Sequence, residues 1–238
     1  MATKVCKFGG TSLADASQIA KVRGIVRGDG DRRFVVPSAP GKRDKSDHKI
    51  TDLLYLGLKL DITPHLAEVE RRIAKEACDG CPADYAASRG EYLSGIILAE
   101  VLGYPFVDAA DVIFFDARGR LDEERTYGAM ATGLGRAERA VVPGFYGTGA
   151  DGKVRTFSRG GSDVTGAVVA RGVEADIYEN WTDVSGVLMT DPRVVAEAKP
   201  ITEITGGGGV PVQVSLRASG RALPAPGASD PAAASPST

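Results

Sequence analysis

The chain has 238 residues, 43% of them hydrophobic and 25% charged, with 29 basic and 31 acidic side chains for a formal net charge of −2. That length holds one large α/β domain or two small ones, and the near-neutral balance argues against nucleic-acid or anionic-membrane partners, leaving small ligands. No apolar stretch approaches the roughly 18 residues of a membrane span, and no basic segment followed by an apolar core opens the chain, so the expected compartment is the cytoplasm.

The first segment, KVCKFGGTSLAD at residues 4–15, places a glycine pair between an apolar strand and a helix. Val5, Cys6 and Phe8 suit a buried strand, and Leu13, Ala16, Ile19, Val22 and Val26 recur at helical spacing. Ser12, followed three residues later by Asp15, fits a capping signature, and a helix start favours an anion. Two readings stand at this point: a tight turn with a solvated Lys7, or a phosphate site. Farther on, the spacing predicts a strand at residues 33–40, helices at 49–61, 64–78 and 90–103, and strands at Phe106–Val107 and Val112–Phe115. A helix over Gly128–Ala140, a strand at 140–147, a helix from Ser162 and a strand at 175–181 follow. DGDRRF is expected as a turn and GKRDKSDHK as a surface loop. Such alternation marks an α/β fold whose mostly parallel sheet is covered on both faces.

Past Thr205 the composition shifts to Gly, Ala, Ser and Pro, with little apolar volume to offset ordering entropy, so residues 206–238 are expected to be a disordered tail after a domain of residues 1–205. Of the three cysteines, Cys78 and Cys81 form a CxxC without a second pair. Neither His48 nor His65 stands at metal-ligand spacing from them, so inert thiols and no metal site are expected. The scarcity of histidine also weakens any Ser-His-Asp proposal.

A second glycine pair opens a helix in TFSRGGSDVTGAVVARG, residues 156–172. Arg159 offers a planar donor fork for a carboxylate or phosphate, and Gly160 and Gly161 allow close backbone approach. Ser162 and Asp163 stand at the helix start, where capping is their bland role. Two such helix starts, one with a lysine and one with an arginine, together suggest an anion-transfer site. ENWTDVSGVLMTDPR, residues 179–193, ends a strand with Thr182 and Asp183, and ligands gather at strand carboxyl ends, which makes this a plausible nucleotide edge. GTGADG at residues 147–152 matches GxGxxG, but strand-like KVRTF follows it, so it reads as a hairpin turn and not a dinucleotide site. A GxxxxGK[ST] loop is also absent.

KFGGTS at residues 7–12, VVPSAPGKRDKSDHKITDLL at 35–54, SRGGSD at 158–163 and WTDVSGVLMTDPR at 181–193 occur in the order found in aspartokinase catalytic domains, and over residues 2–204 the chain resembles that branch of the amino acid kinase family. The resemblance implies a three-layer αβα sandwich and transfer of the γ-phosphoryl group of ATP, used with Mg2+, to the side-chain carboxylate of L-aspartate. The product would be 4-phospho-L-aspartate, a precursor for lysine, threonine and methionine synthesis. The acceptor is already ionised at neutral pH, so no general base is needed; alignment and charge compensation suffice.

By the same resemblance, Lys7, with Gly9 and Gly10, contacts the transferring phosphoryl group, and Asp163 organises the lysine end. Arg159 clamps the substrate α-carboxylate, and Ser38, Thr51, Phe145 and Ser162 complete the aspartate pocket. Glu91 pairs with the substrate ammonium. Ser12, Thr182, Asp183, Leu188, Asp191 and Arg193 fall on the nucleotide side, Leu188 standing where many relatives carry tyrosine. Aspartokinases continue past this region with a glycine-alanine-lysine segment, a histidine-proline pair and regulatory ACT domains, so a truncated or frame-shifted chain is expected, without ACT-mediated feedback or assembly; a homo-oligomer formed in some other way is left open. The alternatives are a non-catalytic remnant that binds aspartate or nucleotide weakly, and a related kinase acting on glutamate, acetylglutamate or a nucleotide.

Overall fold

The computed structural model describes residues 2–42, 46–47, 83–158, 160–182, 187–188, 200–201, 203–205 and 213–218. Strand β1 (Lys4–Phe8) lies between β2 (Arg32–Pro37) and β6 (Ile177–Thr182), and the main sheet runs β3 (Ala140–Val141), β2, β1, β6, β10 (Gln213–Ala218), β9 (Glu203–Thr205). Every pairing in it is parallel except β10 with β9.

Period-two alternation along these strands divides the core. Val5, Phe34 and Val36 join Val168, Val169 and Met130 on one face. Cys6, Phe8, Val35 and Trp181 join Val22, Val26, Leu98 and Leu102 on the other. Helices α1 (Ala16–Arg27) and α2 (Ala83–Leu102) cover the second face, and α4 (Glu123–Gly133) and α5 (Gly161–Gly172) the first. A four-residue α3 (Ala109–Val112) precedes α4. A sheet buried on both faces needs near-continuous apolar strands, as RFVVP supplies. Among the described residues no helix is long and apolar enough to cross a membrane.

Several expected boundaries move for identifiable reasons. Asp15, not Ser12, caps α1, its carboxylate accepting from Gln18 N–H at 2.9 Å, while Ser12 is buried in a 3-10 turn over Gly10–Leu13. Helix α4 starts at Glu123 because Asp122 caps it and accepts from Arg125 N–H, and it stops at Gly133. In place of one strand over 140–147, β3 ends before Pro143, and β4 (Tyr146–Thr148) turns away to pair antiparallel with β5 (Val154–Thr156). That pair makes GTGADG the turn of a hairpin, as expected. Val112 belongs to α3, and Phe106, Phe114 and Phe115 make only isolated bridges. Strand β10 lies within the segment whose average composition reads as disordered; locally, Val214 and Leu216 alternate with polar residues, the pattern of a strand. The helices expected at 49–61 and 64–78, the two histidines, Cys78 and Cys81 lie outside the described residues.

Candidate functional site

The carboxyl ends of β1, β2, β3 and β6 form a rim joined strand to strand by backbone bonds. Gly9 N–H donates to Trp181 O at 3.1 Å, Ser38 N–H to Phe8 O at 3.0 Å, and Gly144 N–H to Pro37 O at 3.0 Å. Crevices at strand carboxyl ends are where open α/β sheets take ligands.

Lys7 sits one residue before the end of β1, only 7% exposed, and its Nζ lies 2.7 Å from Asp163 Oδ1. Gly9 follows, and a Cβ there would lie 3.8 Å from the ammonium. At Gly10 a Cβ would come within 2.7 Å of Ala39 O and 3.0 Å of Gly41 N, so the glycine lets the two loops cross at backbone distance. Gly41 N–H bonds Gly10 O at 2.7 Å at that crossing. The second glycine is thus required by packing of the turn.

Asp163 lies on the first turn of α5, a helix entered through Gly160 at φ 81°, a left-handed conformation that glycine adopts without a Cβ penalty. Its carboxylate is half exposed (51%) and accepts from both Lys7 and, at 3.0 Å, Asn180 Nδ2. Strand register explains the meeting: Lys7 and Asn180 are Cα partners on β1 and β6, so their side chains leave the same face of the sheet, toward α5. Tyr178, two residues before Asn180, donates its hydroxyl to the Asp163 carbonyl at 3.2 Å. Burial, reinforced by the Asp163 charge, pushes that phenol far up, so it remains a donor. Neither Asn180 nor Tyr178 is a functional candidate from sequence. Only the parallel register makes them visible.

Glu91 occupies the other end of the rim, on α2. It is 5% exposed, and the backbone N–H of Ala39 donates to its carboxylate. Its Oε2 has no hydrogen-bond partner among the described residues. Burial pushes its carboxyl up to about 7, against the opposing pull of the Ala39 and Glu91 N–H groups. Ala39 therefore joins the two ends, its N–H on Glu91 and its carbonyl beside Gly10.

Phe145 and Ser162 close the rim. Phe145 holds φ 80°, unusual for a bulky side chain, and is fixed by its N–H to Thr165 Oγ1 at 3.0 Å and its carbonyl to Phe157 N–H at 2.7 Å. A Cβ at Gly144 would meet Ser162 Cβ at 2.7 Å, and one at Gly161 would meet the Phe145 ring at 2.8 Å, so these glycines press α5 onto the β3–β4 turn. Lys7, Gly9, Gly10, Ser38, Glu91, Phe145, Ser162 and Asp163 are thus brought to one rim. Arg159, Thr51, Asp183, Asp191 and Arg193 lie outside the described residues. Thr182 is the last residue of β6, and Leu188 lies in β7 (Val187–Leu188), paired with β8 (Pro200–Ile201).

Beneath the rim, on the α1 face, a buried ion pair fixes β6 against β2. Arg32 Nε donates to Glu179 Oε2 at 2.7 Å, Trp181 Nε1 to the same oxygen at 3.0 Å, and Cys6 Sγ at 3.3 Å. Burial raises the Glu179 carboxyl, but the Arg32 bond and charge outweigh it and the net shift is downward. Burial and the Glu179 charge hold the Cys6 thiol well above its ordinary value, so it is inert.

The profile of the Amino acid kinase family matches residues 2–207. Aspartokinase 3 of Bacillus subtilis is 36% identical over 241 aligned residues, covering 85% of this chain and 53% of that protein. The aspartate kinase of Clostridium acetobutylicum superposes with a TM-score of 0.74 at 47% identity, covering 84% of this chain and 52% of that one. Escherichia coli aspartokinase III in complex with aspartate and ADP superposes with a TM-score of 0.67 at 27% identity, covering 84% and 53%. The chain spans about half the length of these relatives.

Proposed function

Since the chain belongs to the amino acid kinase family, we propose that it transfers the γ-phosphoryl group of ATP to the side-chain carboxylate of L-aspartate. One observation carries the choice of substrate: a buried carboxylate, Glu91, with an oxygen unpartnered among the described residues, closes one end of a rim whose other end holds the Lys7 ammonium beside Gly9. A ligand with an ammonium at one end and an anion at the other satisfies both. Arg159 acting on the α-carboxylate completes the reading. Relatives named as aspartokinases support it.

In this reading Glu91, ionised in the complex, receives the substrate ammonium and so places the β-carboxylate toward Lys7. Lys7 exchanges its contact with Asp163 for the transferring phosphoryl group, whose charge spreads over its equatorial oxygens in a loose transition state. Backbone N–H groups at Gly10 and the start of α5 supply fixed dipoles that need no reorganisation, while the Gly9 N–H, bonded to Trp181 O, holds the loop in place. Ser12, Thr182, Asp183, Leu188, Asp191 and Arg193 form the nucleotide side, and Ser38, Thr51, Phe145 and Ser162 wall the aspartate. Asp163, beside Lys7, is the carboxylate that would stand near Mg2+ carried on the nucleotide phosphates with its own waters. Mg2+ bound in that way would neutralise phosphate charge.

The test is acyl-phosphate trapping. The chain with Mg-ATP, hydroxylamine and L-aspartate is expected to give the β-hydroxamate, with little product from L-glutamate, N-acetylglutamate or nucleoside monophosphates. Product from one of those in preference to aspartate would sink the proposal.

A further inference from the structure

The Lys7–Asp163 pair rests on a third residue. Asp163 stands half exposed on the first turn of α5, where a single ion pair to a lysine fixes little, because the carboxylate retains rotamer freedom and water screens its side of the attraction. Two groups from β6 restrain it. Tyr178 holds its backbone carbonyl at 3.2 Å, and Asn180 holds its carboxylate at 3.0 Å. We infer that Asn180 is a positioning residue for the phosphoryl transfer proposed above, its amide keeping the Asp163 carboxylate in place while Lys7 moves between that carboxylate and the phosphoryl group; the inference rests on that reading.

The residue type fits the task. A cation at position 180 would compete with Lys7 for Asp163, and a carboxylate there would compete with Asp163 for Lys7. A neutral donor restrains the acid and leaves the charge of the pair unchanged. The amide orientation follows from the same contact, since only the nitrogen can face a carboxylate favourably. The other amide atom, Oδ1, is buried with no partner among the described residues, an arrangement that costs stability. A purely structural role does not explain an amide with one end unsatisfied; a leucine of similar size would fill the volume without that cost. When an anion draws the Lys7 ammonium away, Asp163 loses one of its two side-chain partners, and Asn180 is what keeps it from following.

Asn180→Leu removes both the donor and the unpaired oxygen and is expected to fold, as checked by thermal unfolding; Asn180→Ser serves as a second variant. With aspartate, Mg-ATP and hydroxylamine, N180L is expected to lower kcat about tenfold with both KM values within about twofold of wild type. The double variant N180L/D163N is expected to be no slower than D163N alone, because Asn180 acts through Asp163. Losses that multiply in the double variant, or an effect confined to KM, would overturn the assignment. Should wild type itself form no acyl phosphate, the phosphotransfer reading fails on its own evidence, and crystal structures decide the positioning claim. An Asp163 carboxylate displaced from Lys7 in N180L supports it, and one left in place overturns it.

Discussion

Glu91→Gln separates what the buried carboxylate does for binding from what it costs the fold. At about 7 the native carboxyl stands above its ordinary value of 4.5, because burial disfavours the charged form. The native state therefore retains a proton that the unfolded chain sheds, so stability falls as pH rises from about 4.5 to 7 and stays reduced above that. The shift corresponds to roughly 3 kcal/mol. Glutamine keeps an acceptor for Ala39 N–H and carries no charge, so E91Q is expected to match wild type near pH 4 and to exceed it at pH 8. Thermal unfolding should show a gain of about 5 to 10 °C at pH 8. Binding changes in the opposite direction. A substrate ammonium facing a buried neutral amide lacks its counter-charge, a loss on the order of 3 to 5 kcal/mol, and aspartate KM should rise at least a hundredfold. In wild type, aspartate KM should rise about tenfold per pH unit below 7, as the ionised fraction declines, and E91Q should lack that dependence. An E91Q variant with unaltered KM, or one less stable than wild type at pH 8, would refute the reasoning.

Lys7→Met should lower turnover by about 10²- to 10³-fold, the cost of one preorganised charge-stabilising donor, with little change in unfolding temperature because half-exposed Asp163 remains hydrated. Arg32→Met takes the guanidinium charge away from buried, ionised Glu179, and should cost about 3 to 5 kcal/mol in a denaturant titration. Gly166→Ala places a methyl group against the Tyr178 hydroxyl, which bonds Asp163 O; a loss of about 1 to 3 kcal/mol is expected, together with reduced kcat.

The site's cation, glycines and acids are legible because each has a local signature. Lys7 with Gly9 and Gly10, and Ser162 with Asp163, stand at strand-to-helix and helix-start junctions that spacing alone reveals. The partners that hold them are not. Asn180 and Tyr178 resemble ordinary strand residues until β1 and β6 are paired in register, and Ala39 acts through its backbone, which no side chain advertises. Phe145 at φ 80° violates the local preference that sequence reasoning depends on. Ser12 and Asp15 both satisfy the capping rule, and the burial of Ser12 decides for Asp15, three residues on. Strand β10 was hidden by averaging over a tail rich in Gly, Ala, Ser and Pro.

A crystal structure with ADP and L-aspartate bound tests the central claim most directly. The account predicts the aspartate ammonium within about 3 Å of Glu91 Oε2 and the β-carboxylate turned toward Lys7 Nζ. Aspartate bound away from this rim, or with its β-carboxylate against Glu91, would contradict it.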